Sequence, residues 1–355
     1  MLRTLELAGS PRERGRRHGQ VLGEDLRRMR RALLTYLARL SLYSAAVPLF
    51  GLLTVLARRL WPYVPPRLQE EMVAVAQGAE VRLGTVLLIN VLDDLANNSP
   101  RCSALAVGEE RTDEGLYLLG RNLDYPLFTT VLTRLQTLFL VVPVRGQPFA
   151  SLAWPGYVGV CTGMNRAGVG LAQLAAMSRD RTLKGVPAAL RFRQALEAGA
   201  TVAGVAAQIL GVPGTIGNNV MLCGPREAMV LELSARRGVV RRPRQGLITA
   251  TNHYQSPAMQ PLRGRFPPRP PLSPLPASMF TDAYSRSRDA RLQELARGPR
   301  LGPGDLQRIL ADGRIANPGT VVCTILAPAQ GRLWVAQGEV PPVNRGSFTE
   351  VRPWG

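Results

Sequence analysis

Apolar and polar positions fall into blocks whose periods divide the chain into helical and strand-like stretches. The opening LELAGSPRERGRRHG predicts a short strand, a Ser-Pro helix start and then an arginine-rich helix. Residues 65–97 read as two amphipathic helices separated by a turn at 81–84. Pro66 opens the first, and Gln69, Glu70 and Glu71 lie in its early turns. Residues 137–144 and 150–162 predict strands, and GMNRAGVG a strand–turn–strand. Residues 187–199 and 201–210 predict helices, and a hairpin turns around Gly224 and Pro225. The proline-rich stretch 257–276 excludes helix and central strand and reads as a long surface loop, followed by a helix over 279–297. TVVCTILAPAQGRLWVAQG predicts a closing hairpin, and no internal repeat is present.

Between these blocks lies a candidate for chemistry. NNSP delivers Cys102 onto an apolar run, 103–107; a charged turn with Thr-Asp-Glu-Gly follows, and a second run, 116–119, continues into GRNLD. Two such runs joined by a polar turn predict a hairpin. The start of its first strand lies beside the end of its second, which brings Cys102, Arg121 and Asp124 together. A thiol has a pKa of about 8.5 and an α-amine about 8, so an amino-terminal cysteine can share a proton with its own amine near neutral pH. Such a pair is a nucleophile with its base and needs no histidine. His18 and His253 are the chain's two histidines.

These motifs resemble the cysteine N-terminal nucleophile (Ntn) hydrolases, in the branch of choloylglycine hydrolases, acid ceramidase-like amidases and penicillin acyltransferases. The resemblance runs from Gly9 to about Gly338, through G-S-P-x-x-x-G-x-x-H-G, Cys-Ser, T-D-E-G, G-R-N-L-D, G-M-N-x-x-G-x-G, T-N-H and Ser-x-x-Arg in order. It implies an α+β fold, a four-layer αββα sandwich with mainly antiparallel sheets. It also implies a precursor cut before the cysteine, giving an α-rich segment 1–101 and a catalytic segment 102–355 that stay associated in one domain. In the roles so implied, Cys102 is the nucleophile, and Arg121 and Asp124 hold its amine and thiol. Asn165, through its backbone N–H, and Asn252, through its side-chain amide, form the oxyanion hole. Arg288, spaced from Ser285, tunes the site or contacts substrate. His18, His253 and Glu232 are expected to be structural, and the glycines near His18 to let the helix approach the sheet. The implied reaction is attack on a linear amide, a thioester acyl-enzyme, and release to water or an amine, with no cofactor or metal. One departure stands out: relatives often carry Gly before the cysteine and Thr after it, whereas this chain has Arg101 and Ser103. A side chain before the scissile bond restricts the backbone strain that favours an N→S acyl shift, so slow or assisted processing is expected.

Charge and composition modify this picture in two places. The net charge of +19 invites a nucleic-acid reading, but the cations are almost all arginine, Lys184 being the one lysine, and they are scattered. With no finger, aromatic RNA signature or basic run, nucleic acid is not an expected partner; anionic membranes or substrates are favoured by the surface. The uncharged run that opens at Leu40 and closes at Ala57 (residues 40–57) lies between Arg39 and Arg58. Three readings stay open for it: a buried or substrate-lining helical hairpin, an interfacial membrane helix with flanking arginines, or a membrane span interrupted by Pro48 and Gly51. Its apolar length, in the half preceding the cysteine, implies a small-molecule N-acyl amide with an apolar acyl chain as substrate. A penicillin- or peptide-like substrate, or a basic lipid-binding protein without catalysis, are the alternatives. Cys161, Cys223 and Cys323 sit in apolar segments and are expected to be buried and inert, without CxxC or metal spacing. Asp93 and Asp94, adjacent on a helix, point about 100° apart and do not share a ligand easily. The N-terminus lacks the apolar core of a secretory signal, so the cytoplasm, with peripheral membrane contact, is the expected location.

Overall fold

The structure, a computed structural model, describes residues 2–44, 49–96, 101–298 and 300–354. Strand β1 (Arg3–Gly9) leads into helix α1 (Pro11–Ser44). The helix begins with a reciprocal cap: Ser10 N–H donates to Glu13 Oε2 (2.7 Å) and Glu13 N–H to Ser10 Oγ (3.3 Å). Helices α2 (Leu49–Leu60), α3 (Pro66–Gly78) and α4 (Leu83–Ala96) complete the first helical layer. The glycines near His18 serve helix packing rather than a helix–sheet approach, contrary to expectation. A Cβ on Gly15 would stand 2.3 Å from the Glu71 carbonyl oxygen, and one on Gly19 2.4 Å from that of Val75, both on α3.

The predicted hairpin forms β2 (Ser103–Val107) and β3 (Leu118–Asp124), paired antiparallel with Ser103 opposite Asn122. Its turn is two short 3-10 turns, the second with Glu114 and Gly115 at positive φ. Helix α5 (Thr129–Leu135) and strand β4 (Thr137–Pro143) follow. Residues 150–162 form two strands rather than one: β5 (Phe149–Ala153) and β6 (Thr162–Asn165), separated by a turn at Pro155 and Gly156, the latter at φ +83°. Next come β7 (Gly170–Ala175), α6 (Ala188–Ala198), α7 (Val202–Leu210), β8 (Asn218–Cys223), β9 (Ala228–Leu233), β10 (Gly238–Arg241) and β11 (Leu247–Ala250). The chain ends with α8 (Asp282–Leu295), α9 (Pro303–Ala311), β12 (Thr320–Ala327), β13 (Arg332–Gln337) and β14 (Ser347–Val351). The final strand extends the expected closing hairpin.

The strands make two sheets, β1-β4-β5-β6-β7-β8-β9-β10 and β11-β2-β3-β12-β13-β14, antiparallel except for the β1–β4 pair. Side chains alternate across β2. Ala104 and Ala106 join Cys102 in the core shared with the first sheet, while Leu105 and Val107 pack on α8 and α9 through Leu292, Leu306 and Leu310. α1, α3, α4, α6 and α7 cover the first sheet's other face, giving the four-layer αββα arrangement. Gly120, on the helix side of β3, admits α9 closely: a Cβ there would lie 3.0 Å from Leu310 Cδ1.

The uncharged run divides between the end of α1 and α2; residues 45–48 lie outside the described ones. α2 buries Ala57 and Leu60 but leaves Leu52 46% and Val55 54% exposed. Among the described residues, no helix is long and apolar enough to cross a membrane.

Candidate active site

Strand alternation dictates which groups can meet at the hairpin. Cys102 and Arg121 both fall on the face between the sheets. There Arg121 Nη2 stands 3.3 Å from the Cys102 sulfur and donates to the Gln173 carbonyl on β7 at 2.6 Å, while Nη1 donates to Thr162 Oγ1 on β6. The guanidinium thus spans the two sheets and is oriented from the far one. Burial pushes the Cys102 thiol above its ordinary pKa. Arg121 and the Asp124 backbone N–H oppose that shift.

Asp124 lies close enough to Cys102 for its charge to raise the thiol, while its carboxylate is held by other partners. It accepts from Thr320 Oγ1 (2.7 Å) and Asn317 Nδ2 (2.6 Å) and lies 3.4 Å from Arg288 Nη1. Burial raises its pKa to about 6, against the lowering pull of Arg288. Its backbone carbonyl accepts from Arg101 N–H at 2.7 Å, which carries the β2–β3 pairing through the Arg101–Cys102 peptide.

Arg288, whose expected role was the least defined, stands at the centre. Nη1 donates to the carbonyls of both Arg101 and Cys102, each at 3.0 Å, and Nη2 to Asn252 Oδ1 at 2.7 Å. Tyr284, one turn earlier on α8, lies under its guanidinium at 4.5 Å. Asn252 Nδ2 donates to the Ala175 carbonyl (2.8 Å) at the end of β7. Its loop is pinned by Asn252 N–H to Ser285 Oγ (2.9 Å) and by a Ser285–His253–Thr251 cluster at 2.9–3.0 Å. His253 therefore orients the loop, and burial lowers its pKa. Glu232, fully buried, accepts from the backbone N–H groups of Gln255 (2.7 Å) and Ser256 (3.0 Å) and steadies the same loop.

Asn165 is a correction. Its backbone N–H, expected to face an oxyanion, is committed to the Val169 carbonyl (3.0 Å) across its own turn. Its side chain donates to the carbonyls of Leu196 (2.9 Å) and Gly199 (2.7 Å). Asn165 ends β6 three residues beyond Thr162, the Arg121 partner, so it sits roughly 10 Å along the strand from the thiol's side. It organises a turn. His18 is structural, accepting from Gly156 N–H at 2.8 Å, with its pKa lowered by burial to about 4.

A cavity with an empty volume of about 980 Å³, its open mouth included, begins beside these groups at Leu123, Cys161 and Gln173. Its walls come from α1 (Met29, Leu33), α4, α5, the turn after β5 and α6, and among the described residues none comes from α2. Most of the lining is apolar. Asp93 and Asp94, adjacent carboxylates expected not to share a ligand easily, are among its polar members, with Asn90 and Gln173. Tyr125 donates to Asp93 Oδ1 at 3.0 Å; Ala188 N–H (2.9 Å) and Thr215 Oγ1 donate to Asp94. Burial lifts Asp93 to about 7 and Asp94 to about 6. Cys161, also on the wall, is hydrogen-bonded to Tyr157 Oη (2.8 Å) and pushed by burial to about 12; burial also raises the thiols of Cys223 and Cys323. Thr162, Gln173, Asn317 and Thr320, which orient Arg121 and Asp124, were also missed. Each makes its contact across tens to hundreds of residues, and a turn sequence such as Asn-Pro-Gly-Thr announces the bend without naming the partner.

The family described as acyl-coenzyme A:6-aminopenicillanic acid acyl-transferase matches residues 110–270, a span that holds Arg121, Asp124 and Asn252 but neither Cys102 nor Arg288. An uncharacterised protein of Archaeoglobus fulgidus is 27% identical over 220 residues, 54% of this chain and 36% of that protein. The chain thus spans about a third of the length of that relative. Among solved structures, a Caenorhabditis elegans N-acylethanolamine-hydrolyzing acid amidase ortholog aligns at TM-score 0.47 and 18% identity, over 70% of this chain and 100% of that one. A mutant conjugated bile acid hydrolase from Clostridium perfringens aligns at 0.45 and 15%, over 71% and 92%. A penicillin V acylase from Agrobacterium tumefaciens aligns at 0.43 and 13%, over 71% and 91%. Its two helix-covered sheets give the expected α+β, four-layer αββα arrangement, and over residues 110–270, somewhat less than half of its length, the chain is similar to the penicillin acyltransferase family.

Proposed function

We propose that this chain is a self-processing cysteine amidohydrolase or N-acyltransferase. Its substrate in this reading is a linear N-acyl amide with an apolar acyl chain, cleaved through a thioester on Cys102. The observation that carries the reading is the environment of one peptide bond. The Cys102 sulfur has a guanidinium at 3.3 Å, and the carbonyl of Arg101, one bond upstream, has another at 3.0 Å. A nucleophile beside Arg121 and a carbonyl polarised by Arg288 are what an acyl shift needs.

In the first stage the sulfur attacks the Arg101 carbonyl carbon. A C–S bond forms, the C–N bond to Cys102 breaks, and the thiol proton passes to the departing amine. Water then cleaves the thioester, leaving an Arg101 carboxylate, a restored thiol and a free α-amine on Cys102. Segments 1–101 and 102–355 remain together because the core between the sheets and the α1–α4 layer contain residues from both. In the second stage that amine takes the thiol proton as the sulfur attacks the substrate amide. Arg121 and Asp124 maintain the register, and the Asn252 amide donates to the developing oxyanion. The apolar cavity beside Leu123 takes the acyl chain. Release to an acceptor amine, rather than water, is favoured by the acyltransferase description of the matching family. The test is to mix processed protein with an activated long-chain acyl ester and read fragment masses. We expect one acyl increment on the fragment that begins at Cys102 and none in Cys102→Ser; an increment on Cys161, or on no cysteine, contradicts the reading.

A further inference from the structure

The residue before the proposed scissile bond is an arginine, and its side chain is completely buried. Its guanidinium carbon lies 4.5 Å from the Phe280 ring centre and 5.2 Å from that of Phe266, and its Nε donates to the Met279 carbonyl at 3.1 Å. Burying a charge near a second buried guanidinium, that of Arg288, is unfavourable unless something compensates. Two aromatic faces and a carbonyl do so here. Burial, and then the proximity of Arg288, lower the pKa of Arg101 to about 10, so it stays charged at neutral pH.

The binding elements are contiguous. Phe266 belongs to the proline-rich stretch, Met279 and Phe280 to its exit, and Thr281 caps α8, accepting from Tyr284 N–H at 3.1 Å. Two turns along that helix is Arg288, on the Arg101 carbonyl. One segment, 266–288, therefore grips the Arg101 side chain at one end and its carbonyl at the other. A glycine before the scissile bond could offer only the second grip.

We propose that Phe266, Phe280 and the Met279 carbonyl form a guanidinium-binding subsite that positions the Arg101–Cys102 bond for self-cleavage. This rests on the self-processing reading above and adds to it a specificity for the residue before the cut. Arg101 is on this account a positioning residue, and the cation on its side chain, held by the two rings, sets the carbonyl against Arg288. The device supplies the assistance that a side chain before the scissile bond requires.

The experiment follows cleavage of freshly synthesised full-length chain over time by intact mass, in wild type, Arg101→Ala, Arg101→Lys, Phe280→Leu and Cys102→Ala. We expect Arg101→Ala and Phe280→Leu to be cut at least tenfold more slowly than wild type, with Arg101→Lys between them and wild type. Methylguanidine, at concentrations far below those that unfold the chain, should speed Arg101→Ala several-fold and leave Cys102→Ala whole. Thermal midpoints of the uncut variants control for misfolding of Phe280→Leu, and the rescue of Arg101→Ala does not depend on that variant. Wild type cut while Arg101→Ala is cut equally fast overturns the subsite alone. A slow Arg101→Ala that methylguanidine does not speed also overturns it. A wild type that stays whole overturns the self-processing reading, and the subsite's role with it.

Discussion

Cys102 and Arg121 meet because they lie on one face of neighbouring strands, a relation that alternation alone makes visible. The residues that complete the site are harder to read. Asn252 reaches it only through a loop tied to Ser285, and Asn165, in an equally suggestive Gly-Met-Asn motif, is occupied by its own turn. Local sequence gives both asparagines the same turn-forming character; what separates them is the partner, Arg288 for Asn252 and the carbonyls of Leu196 and Gly199 for Asn165. Asn252→Ala is expected to lower turnover of processed enzyme by about a hundredfold, the usual cost of one lost oxyanion donor. Unchanged kcat would return Asn252 to a structural role. Asp93 supplies a pH dependence. Its carboxyl, lifted to about 7 by the apolar walls, is neutral below that pH and ionised above it. An ionised carboxylate facing an acyl chain disfavours binding. KM for a long-chain amide should therefore rise as pH passes 7, and Asp93→Asn should flatten the rise. An unchanged profile in that variant would place the titration elsewhere.

At the scale of elements, hairpins with strong turn signals were legible, and so were the helices with proline or serine starts. The break in residues 150–162 was not, because the strands on either side are buried throughout and the turn is marked chiefly by Pro155 and Gly156. The uncharged run was legible as helical but not as to what it faces. α2 packs Ala57 and Leu60 inward and presents Leu52 and Val55 beside Arg58 and Arg59. Such a face suits an anionic membrane surface. We expect the rate on N-acyl amides to climb with acyl length, since each buried methylene contributes about 0.8 kcal/mol, and anionic vesicles to raise it further. Leu52→Ser with Val55→Ser should remove the vesicle effect and leave the dependence on acyl length. Rates flat or falling with length would favour a penicillin- or peptide-like substrate.

For the whole molecule, the four-layer fold follows from motifs arriving in order along the chain, each weak alone. Periodicity predicted the elements; it could not predict that Arg288, on α8, would close over a peptide bond 187 residues earlier. That contact joins the two stages of the proposed mechanism, in which one guanidinium polarises the carbonyl of the uncut bond and then borders the processed site. The most direct test is the intact mass of purified wild-type protein beside Cys102→Ala. Two associated fragments, 1–101 and 102–355, in wild type, with only the full chain in the variant, are the predicted result. A wild type that stays whole and yet hydrolyses amides would contradict it.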